Sequence, residues 1–156
     1  MGLRENMCSD PVSTLALREP ATAKLEATIR EAIVQMRAQK LGCVIVVDAH
    51  EKPLGMFTES MLTQLLAQDH RVVEDRLADH MAKQWPHVTL TDTIESVLDA
   101  LDFKNVRFLC VVDDADRLVG LAGQKGLMEY VADHFPLRVM VQRIEEPVSF
   151  HEREGA

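Results

Sequence analysis

The chain repeats itself at a spacing of 65 residues. Between Ala27 and Leu66, almost every apolar residue has an apolar residue of similar size 65 positions further along, and no gap is needed. The matched pairs include Ile29 and Ile94, Val44 and Leu109, Val47 and Val112, and Gly55 and Gly120. A duplication of this length indicates one supersecondary unit used twice. We expect the two units to pack about a pseudo-twofold axis, with clefts at the seam.

Each copy follows the pattern strand, helix, strand, strand, helix. In the first copy, apolar residues at helical spacing predict a helix over residues 28–39, which Gly42 ends. The continuously apolar run Cys43–Val47 predicts a strand covered on both faces, and Leu54–Phe57 predicts its partner. Thr58 is the expected N-cap of the next helix.

The second copy is predicted to repeat this order. Its expected elements are a helix at Asp92–Phe103 with Asp92 as N-cap, strands at Phe108–Val112 and Leu118–Ala122, and a helix at Gln124–Ala132. Short extended stretches near Val12–Leu17 and His87–Leu90 are expected to supply each copy's first strand. The predicted fold class is therefore α/β (α+β), built from two pseudo-twofold-related repeats.

The division of the chain follows from the repeat. Residues 1–11 are interpreted as a polar leader, 12–68 as the first repeat, 69–76 as a connector without a core pattern, and 77–135 as the second repeat. Residues 136–156 are interpreted as a C-terminal extension, in which the apolar residues 137–141 are expected to form one more packed element.

Composition and charge exclude several classes of function. With 47% hydrophobic and 27% charged residues, this is an ordinary globular composition. A net charge of -8 argues against nucleic acid and anionic membranes as partners, because a negative potential repels both. No run approaches the roughly 18 consecutive apolar residues of a membrane span. We therefore expect a cytoplasmic protein.

The sequence contains no recognisable catalytic or metal-binding pattern. The three cysteines, at positions 8, 43 and 110, form neither a disulfide framework nor a close-spaced metal cluster. Nucleophile-elbow glycines, metal-spaced histidine pairs and a glycine-rich phosphate loop are also missing. The prediction is a protein that is not an enzyme.

The tandem pattern resembles a pair of CBS domains, named after cystathionine β-synthase and called a Bateman module. The resemblance is carried by an apolar strand that ends in Val-Val-Asp, followed by a turn and then Leu-Gly or Val-Gly before a helix. These residues are Val46, Val47, Asp48, Leu54 and Gly55, and again Val111, Val112, Asp113, Val119 and Gly120. The resemblance covers roughly residues 12–135.

The resemblance implies an adenosine-type regulatory ligand such as AMP, ADP, ATP, NAD or S-adenosylmethionine, bound in a cleft between the repeats. The family's site signature is Gly, two apolar residues, Thr or Ser, two residues of any kind, then an Asp that accepts from the ribose hydroxyls. The first copy keeps Thr58 but has Met61 in place of the acid, and the second has Gly123 and Gly126 at the two positions. Glu59 stands about 200 degrees of helical rotation from position 61 and is not expected to replace the acid without a register change.

By the same resemblance, two clefts are expected. One combines residues of the first repeat with the start of a strand in the second, and Arg107 would meet phosphate there; its predicted binding residues are Thr58, Ser60, Met61, His87, Val106 and Arg107. The other combines Gly123 and Lys125 with Ala21, Leu41, Gly42 and Cys43. Thr58 is equally well explained as a helix cap, and Met61 as core packing.

Two functions follow. The first is a stand-alone, non-catalytic regulatory module that senses an adenosine-type nucleotide and passes the change to an unidentified protein partner or to its own dimer. The alternative is a degenerate CBS pair that acts as a dimerisation or protein-interaction domain without nucleotide. In both cases the resemblance implies a homodimer.

Overall fold

Two three-stranded sheets of identical topology form the framework of this computed structural model, which describes residues 2–104 and 106–134. The helices are α1 (Leu3–Ser9), α2 (Ile29–Gln39), α3 (Glu59–Gln68), α4 (Ile94–Lys104) and α5 (Gln124–His134). The strands are β1 (Thr22–Ala23), β2 (Cys43–Val47), β3 (Pro53–Thr58), β4 (His87–Thr89), β5 (Phe108–Val112) and β6 (Leu118–Gly123). The predicted fold class is confirmed.

The sheets are paired in the same register in both repeats. In each sheet the first strand is parallel to the second and the second is antiparallel to the third. Thr22 pairs with Ile45 as His87 pairs with Cys110, and each hairpin has an irregularity at the same place. The 65-residue spacing is thus a geometric repeat.

The hairpin turns repeat as well. The Asp48 carboxylate accepts hydrogen bonds from the backbone N–H groups of His50 (2.7 Å) and Lys52 (3.0 Å). The Asp113 carboxylate accepts equivalent bonds from the N–H groups of Ala115 and Arg117, at 2.9 Å each. These bonds favour the ionised form, so the pKa of each aspartate lies below its usual range. The predicted polar turns are confirmed, and their carboxylates serve the backbone.

The N-caps of α2 and α4 are equivalent threonines, and the cap of α4 lies one residue later than predicted. Thr28 accepts from Glu31 N (3.2 Å), and the Glu31 carboxylate accepts from Thr28 N (2.9 Å), which is a capping box. In the second repeat the hydroxyl of Thr93 accepts from Ser96 N (3.3 Å). The prediction of Asp92 as the cap was wrong, because its carboxylate instead accepts from Thr89 N (2.9 Å).

The first residues of each repeat pack into the core of the opposite repeat. Val12 is fully buried among the core residues of the second repeat, where its N–H donates to Asp92 O (2.7 Å). Leu77, its equivalent 65 positions later, is fully buried in the core of the first repeat and donates to Ala27 O (2.8 Å). The exchange joins the repeats through backbone as well as side chains.

The exchanged segments then cross the sheets beside two glycines. Arg18 and Leu121 exchange backbone hydrogen bonds at 2.9 Å, and Ala82 and Met56 do so at 2.8 and 3.0 Å. A Cβ on Gly55 would lie 2.4 Å from the Met81 Sδ atom, and one on Gly120 would lie 2.8 Å from the Leu17 Cβ atom. The glycines of the sequence pattern therefore allow the crossing segments to approach.

The structure shows how the segments outside the two repeats are folded, and it corrects the predicted position of the first strand. The predicted polar leader forms α1, which packs on α4. The stretch Val12–Leu17 begins with a 3-10 helix at Val12–Thr14, and the first strand is Thr22–Ala23 instead. The connector contains the 3-10 helix His70–Glu74, and its Val72 is only 6% exposed. The expected element at residues 137–141 lies outside the described residues.

Across residues 2–104 and 106–134, no helix is both long and apolar enough to cross a membrane.

Candidate ligand-binding cleft

A cavity of about 330 Å³ lies where the start of α3 in the first repeat meets the start of β5 in the second. This volume is at the lower end of the range for small-molecule sites, about 300 to 1,000 Å³. The residues that line the cavity are Gly42, Cys43, Met56, Thr58, Glu59, Ser60, Val106, Arg107 and Phe108.

The structure brings part of the predicted binding set together. Thr58, Ser60, Val106 and Arg107 line this one cavity. Met61 does not line it; it is half-buried against the core of the first repeat. His87 does not line it either, because it starts β4 as an exposed residue paired with Cys110.

Thr58 caps α3 from the cavity wall. Its backbone is extended (φ −117°), and its hydroxyl oxygen accepts from Met61 N at 3.3 Å. A helix cap was one of the two roles considered for Thr58, and this role uses only the hydroxyl oxygen as an acceptor. The hydroxyl hydrogen forms no hydrogen bond within the described part of the chain, so Thr58 retains one donor for a ligand.

Glu59 is the site residue that sequence reasoning set aside. It lines the cavity, and its Oε2 atom would lie 3.1 Å from a Cβ on Gly42. The cause is helical rotation: because Met61 faces the core, the position about 200 degrees away faces the cleft. A carboxylate is therefore present at this helix start, where a negative charge is favoured, but at a different position from the family acid.

Gly42 and Cys43 were predicted to line the second cleft, but they line this one. The hairpin register explains the difference, since Cys43 pairs directly with Thr58 and the Glu59 N–H donates to Gly42 O (3.0 Å). The antiparallel pairing of two predicted neighbouring strands was the signal that could have located them. Phe108, also missed, follows Arg107 at the start of β5.

The second cleft is built differently from its prediction. Gly123 and Lys125 line a depression with Leu17, Arg18 and Phe108. The predicted partners are absent from that lining, and Ala21 is buried in the core of the first repeat.

Close packing accounts for the missing signature residues in the second cleft. A Cβ on Gly123 would lie 2.9 Å from the Cδ1 atom of Phe108, so the ring takes the place of the side chain equivalent to Thr58. A Cβ on Gly126 would lie 2.7 Å from the carbonyl oxygen of Ala16. No acid can stand at that position without moving the backbone.

The Cys43 thiol in the cavity wall is not activated. Burial raises its pKa to about 11, a trend that the Arg18 charge opposes and the Glu59 charge reinforces. The thiol is therefore protonated at neutral pH and acts as a small apolar group. Within residues 2–104 and 106–134, no three His, Cys, Asp or Glu residues are placed to hold a metal ion.

Comparison with known proteins identifies the class. The sequence profile of the family described as CBS domain matches twice, at residues 12–68 and 77–133. A crystal structure of a CBS domain-containing protein of unknown function from Bacillus anthracis superposes with a TM-score of 0.72 and 14% identity, covering 83% of this chain and 98% of that one. The two profile matches and the fold thus define a tandem repeat module.

This chain belongs to the CBS domain family, as a tandem pair. The CBS domain protein PAE2072 from Pyrobaculum aerophilum, solved in complex with AMP, is 19% identical, with a TM-score of 0.67 and coverage of 87% of this chain and 99% of that one. An uncharacterised 17.7 kDa protein from Acidianus ambivalens is 25% identical over 122 residues, which are 78% of this chain and 73% of that protein.

Proposed function

We propose that this protein is a non-catalytic regulatory module of the cytoplasm that binds an adenosine-type nucleotide in the cleft between Thr58 and Arg107. One observation carries the proposal: a single cavity joins a hydroxyl donor and a carboxylate of the first repeat to a guanidinium of the second. A nucleotide needs these three kinds of group, for its ribose hydroxyls and its phosphate.

Each wall of the cavity has a proposed role. Met56 and Cys43 supply apolar surface for the base. Glu59 offers two acceptor oxygens to the ribose diol, and the free hydroxyl hydrogen of Thr58 donates to the same sugar. Arg107 offers a planar set of donors to phosphate. The AMP complex of the Pyrobaculum aerophilum protein supports this assignment at the level of the shared fold.

The proposed regulatory step follows from the cleft's position between repeats. A ligand that contacts α3 of one repeat and β5 of the other stabilises the arrangement in which both contacts are made. The size of the response equals the ligand's difference in affinity between two arrangements of the repeats. The change then passes to an unidentified protein partner or to a second copy of the chain.

Calorimetry with AMP, ADP, ATP, NAD and S-adenosylmethionine tests the proposal. We expect at least one of these to bind, and Thr58→Val to raise its Kd about tenfold through the lost hydroxyl. Thr28→Val is the matched control, because it removes an equivalent helix cap outside the cleft. The absence of binding heat with all five ligands at about 1 mM would contradict nucleotide binding. An equal loss of affinity in Thr58→Val and Thr28→Val would also contradict it.

A second candidate is favoured by the orientation of Met61. Because that position packs on the core instead of lining the cavity, the alternative is a degenerate pair that serves dimerisation or protein interaction without nucleotide. A protein that binds none of the five ligands but forms a stable complex or dimer supports this candidate over the first.

In either case we propose a homodimer formed through the helices. Large apolar side chains are exposed on α4 and α5: Phe103 is 91% exposed and Met128 is 72% exposed. Light scattering is expected to give twice the chain mass, and Phe103→Ser with Met128→Ser is expected to give the monomer mass. A monomer mass for the unaltered protein would contradict the proposal.

A further inference from the structure

One arginine outside the candidate cleft contacts elements of both repeats that form its walls. Arg18 does not line the cavity beside Thr58. It is an exposed residue of the segment that crosses β6, where its backbone exchanges two hydrogen bonds with Leu121, at 2.9 Å each. Because these bonds fix its backbone to the second repeat, the side chain extends from a fixed point.

The first contact of the Arg18 side chain is with the end of α2, in the first repeat. Its Nη2 atom donates to the carbonyl oxygens of Lys40 (2.9 Å) and Gln39 (3.4 Å). The last carbonyl groups of a helix have no partner within the helix, and a positive charge is favoured there. The chain then continues directly into Gly42 and Cys43, which line the cavity. Arg18 therefore caps the helix just before one wall of the cleft begins.

The backbone at this contact is strained. Lys40 has a φ of 54°, in the left-handed region that favours glycine and disfavours residues with a side chain. The Leu41 N–H donates back to Met36 O (2.9 Å), so the chain reverses direction sharply here. The hydrogen bond from Arg18 to the Lys40 carbonyl group thus stabilises a turn that its own sequence does not favour.

The second contact is with Phe108, which starts β5 and lines the same cavity from the second repeat. The guanidinium carbon of Arg18 lies 5.8 Å from the centre of the Phe108 ring, within the range of about 6 Å for an attraction between a cation and an aromatic face. Phe108 also packs against the core of the first repeat. One guanidinium group therefore contacts both sides of the seam.

We propose that Arg18 is a positioning residue of the cleft, which holds the α2–β2 turn (residues 40–42) and Phe108 in a fixed relative position without contacting the ligand. The inference rests on the proposed function only for the identity of the ligand, because the contacts exist in the chain alone. Since both walls are held by the same side chain, a ligand that displaces one wall also disturbs the contact with the other.

The reactivity of Cys43 tests the positioning role without any ligand. Arg18→Met keeps the length of the side chain and removes its charge and donors. We expect a thiol reagent to label Cys43 about tenfold faster in this variant, because the turn before it opens more often. Labelling of Cys110, which lies in the same core but does not line the cavity, should be unchanged. Mass spectrometry of the digested protein measures both rates.

Two further variants separate the guanidinium's contacts from a general loss of an arginine. Arg18→Lys keeps the charge and a donor, and it is expected to restore most of the slow labelling of Cys43. Arg30→Met is the matched control, because the Arg30 guanidinium also holds an acceptor, the Glu74 carboxylate, and does not line the cavity. It should leave the Cys43 rate unchanged.

Calorimetry with AMP, ADP, ATP, NAD and S-adenosylmethionine connects the positioning role to binding. For those that bind, Arg18→Met is expected to raise the Kd about threefold, because a less preorganised cleft must be ordered by its ligand. The increase should be the same for AMP and ATP, since no phosphate contacts Arg18. Arg30→Met should leave the Kd unchanged.

The outcomes distinguish this inference from the proposed function. Equal acceleration of Cys43 and Cys110, no acceleration of either, or Arg18→Lys labelling as fast as Arg18→Met would overturn the positioning role. A Kd that Arg18→Met leaves unchanged, or a larger loss for ATP than for AMP, would also overturn it. If none of the five ligands binds the unaltered protein but Cys43 labelling follows the expected pattern, the nucleotide assignment fails and the positioning of the two walls by Arg18 is supported.

Discussion

Phe108 lies so close to Gly123 that a Cβ there would come within 2.9 Å of the aromatic ring. The equivalent pair in the first repeat is Cys43 and Thr58, which carries the smaller side chain on the first strand and the hydroxyl on the second. In the first repeat the small Cys43 faces Thr58, whereas in the second the large Phe108 faces Gly123. The two clefts therefore differ in shape, and only the first has a hydroxyl group at this position. Under the proposed function, each chain therefore has one nucleoside site, in the cleft beside Thr58.

The first prediction concerns Gly126. Gly126→Ala is expected to destabilise the fold by about 1 to 3 kcal/mol, because the new Cβ would lie 2.7 Å from the Ala16 carbonyl oxygen and the backbone cannot yield cheaply. The measurement is urea unfolding. Gly2→Ala, which has no atom within 4 Å of its Cβ, is the control and should change little. A neutral Gly126→Ala would contradict the close approach of the Ala16 carbonyl group to α5.

The two crossing glycines are predicted to respond differently to truncation of their neighbours. Gly55→Ala should destabilise by about 1 to 3 kcal/mol, and Met81→Ala should relieve part of that, since the close atoms include the Met81 Sδ and Cγ atoms. Gly120→Ala should not be relieved by Leu17→Ala, because its close contact is the Leu17 Cβ itself. Double-mutant cycles by thermal unfolding measure both; equal coupling in the two pairs would be evidence against the crossing geometry.

A third prediction concerns thiol reactivity. Burial raises the pKa of Cys43 to about 11 and that of Cys110 to about 12, so their thiolate fractions at neutral pH are very small. Titration with a thiol reagent should modify Cys8 alone in the native protein and all three cysteines in denaturant. Rapid native labelling of Cys110 would show that the strands are less closed than described.

The fourth prediction concerns the anchor of the N-terminal segment. The Tyr130 hydroxyl donates to Asp10 Oδ2 at 2.7 Å, and burial with that bond raises its pKa from 10 to about 12. A raised folded-state pKa means that this contact stabilises the fold below pH 10 and is lost as the pH rises through 12. Tyr130→Phe should increase amide exchange in α1 at neutral pH, and unchanged exchange would contradict the anchor.

Much of the fold followed from the repeat, and the missed parts share a cause. Cys43–Val47 and Phe108–Val112 are strongly apolar, so pattern alone located them. β1 has only two residues, Thr22 and Ala23, and no apolar run, although the 65-residue spacing from His87 would have indicated it. The exchange of Val12 into the opposite core is a tertiary event with no local signal.

The site was predicted in part for similar reasons. The resemblance to CBS pairs located Thr58 and Arg107, and the fold brings this helix start and this strand start together. Met61 was expected in the cleft because of its position in the signature, but its apolar side chain packs on the core and Glu59 takes the cleft side. The apolar side chain of Met61 and the charged side chain of Glu59 therefore decide which face of α3 points to the cleft.

A crystal structure of the full chain grown with ATP tests the central claim most directly. We expect one nucleotide per chain, with its ribose beside Thr58 and Glu59 and its phosphates beside Arg107. Density for a nucleoside beside Gly123, or crystals with both clefts empty at saturating ATP, would contradict it.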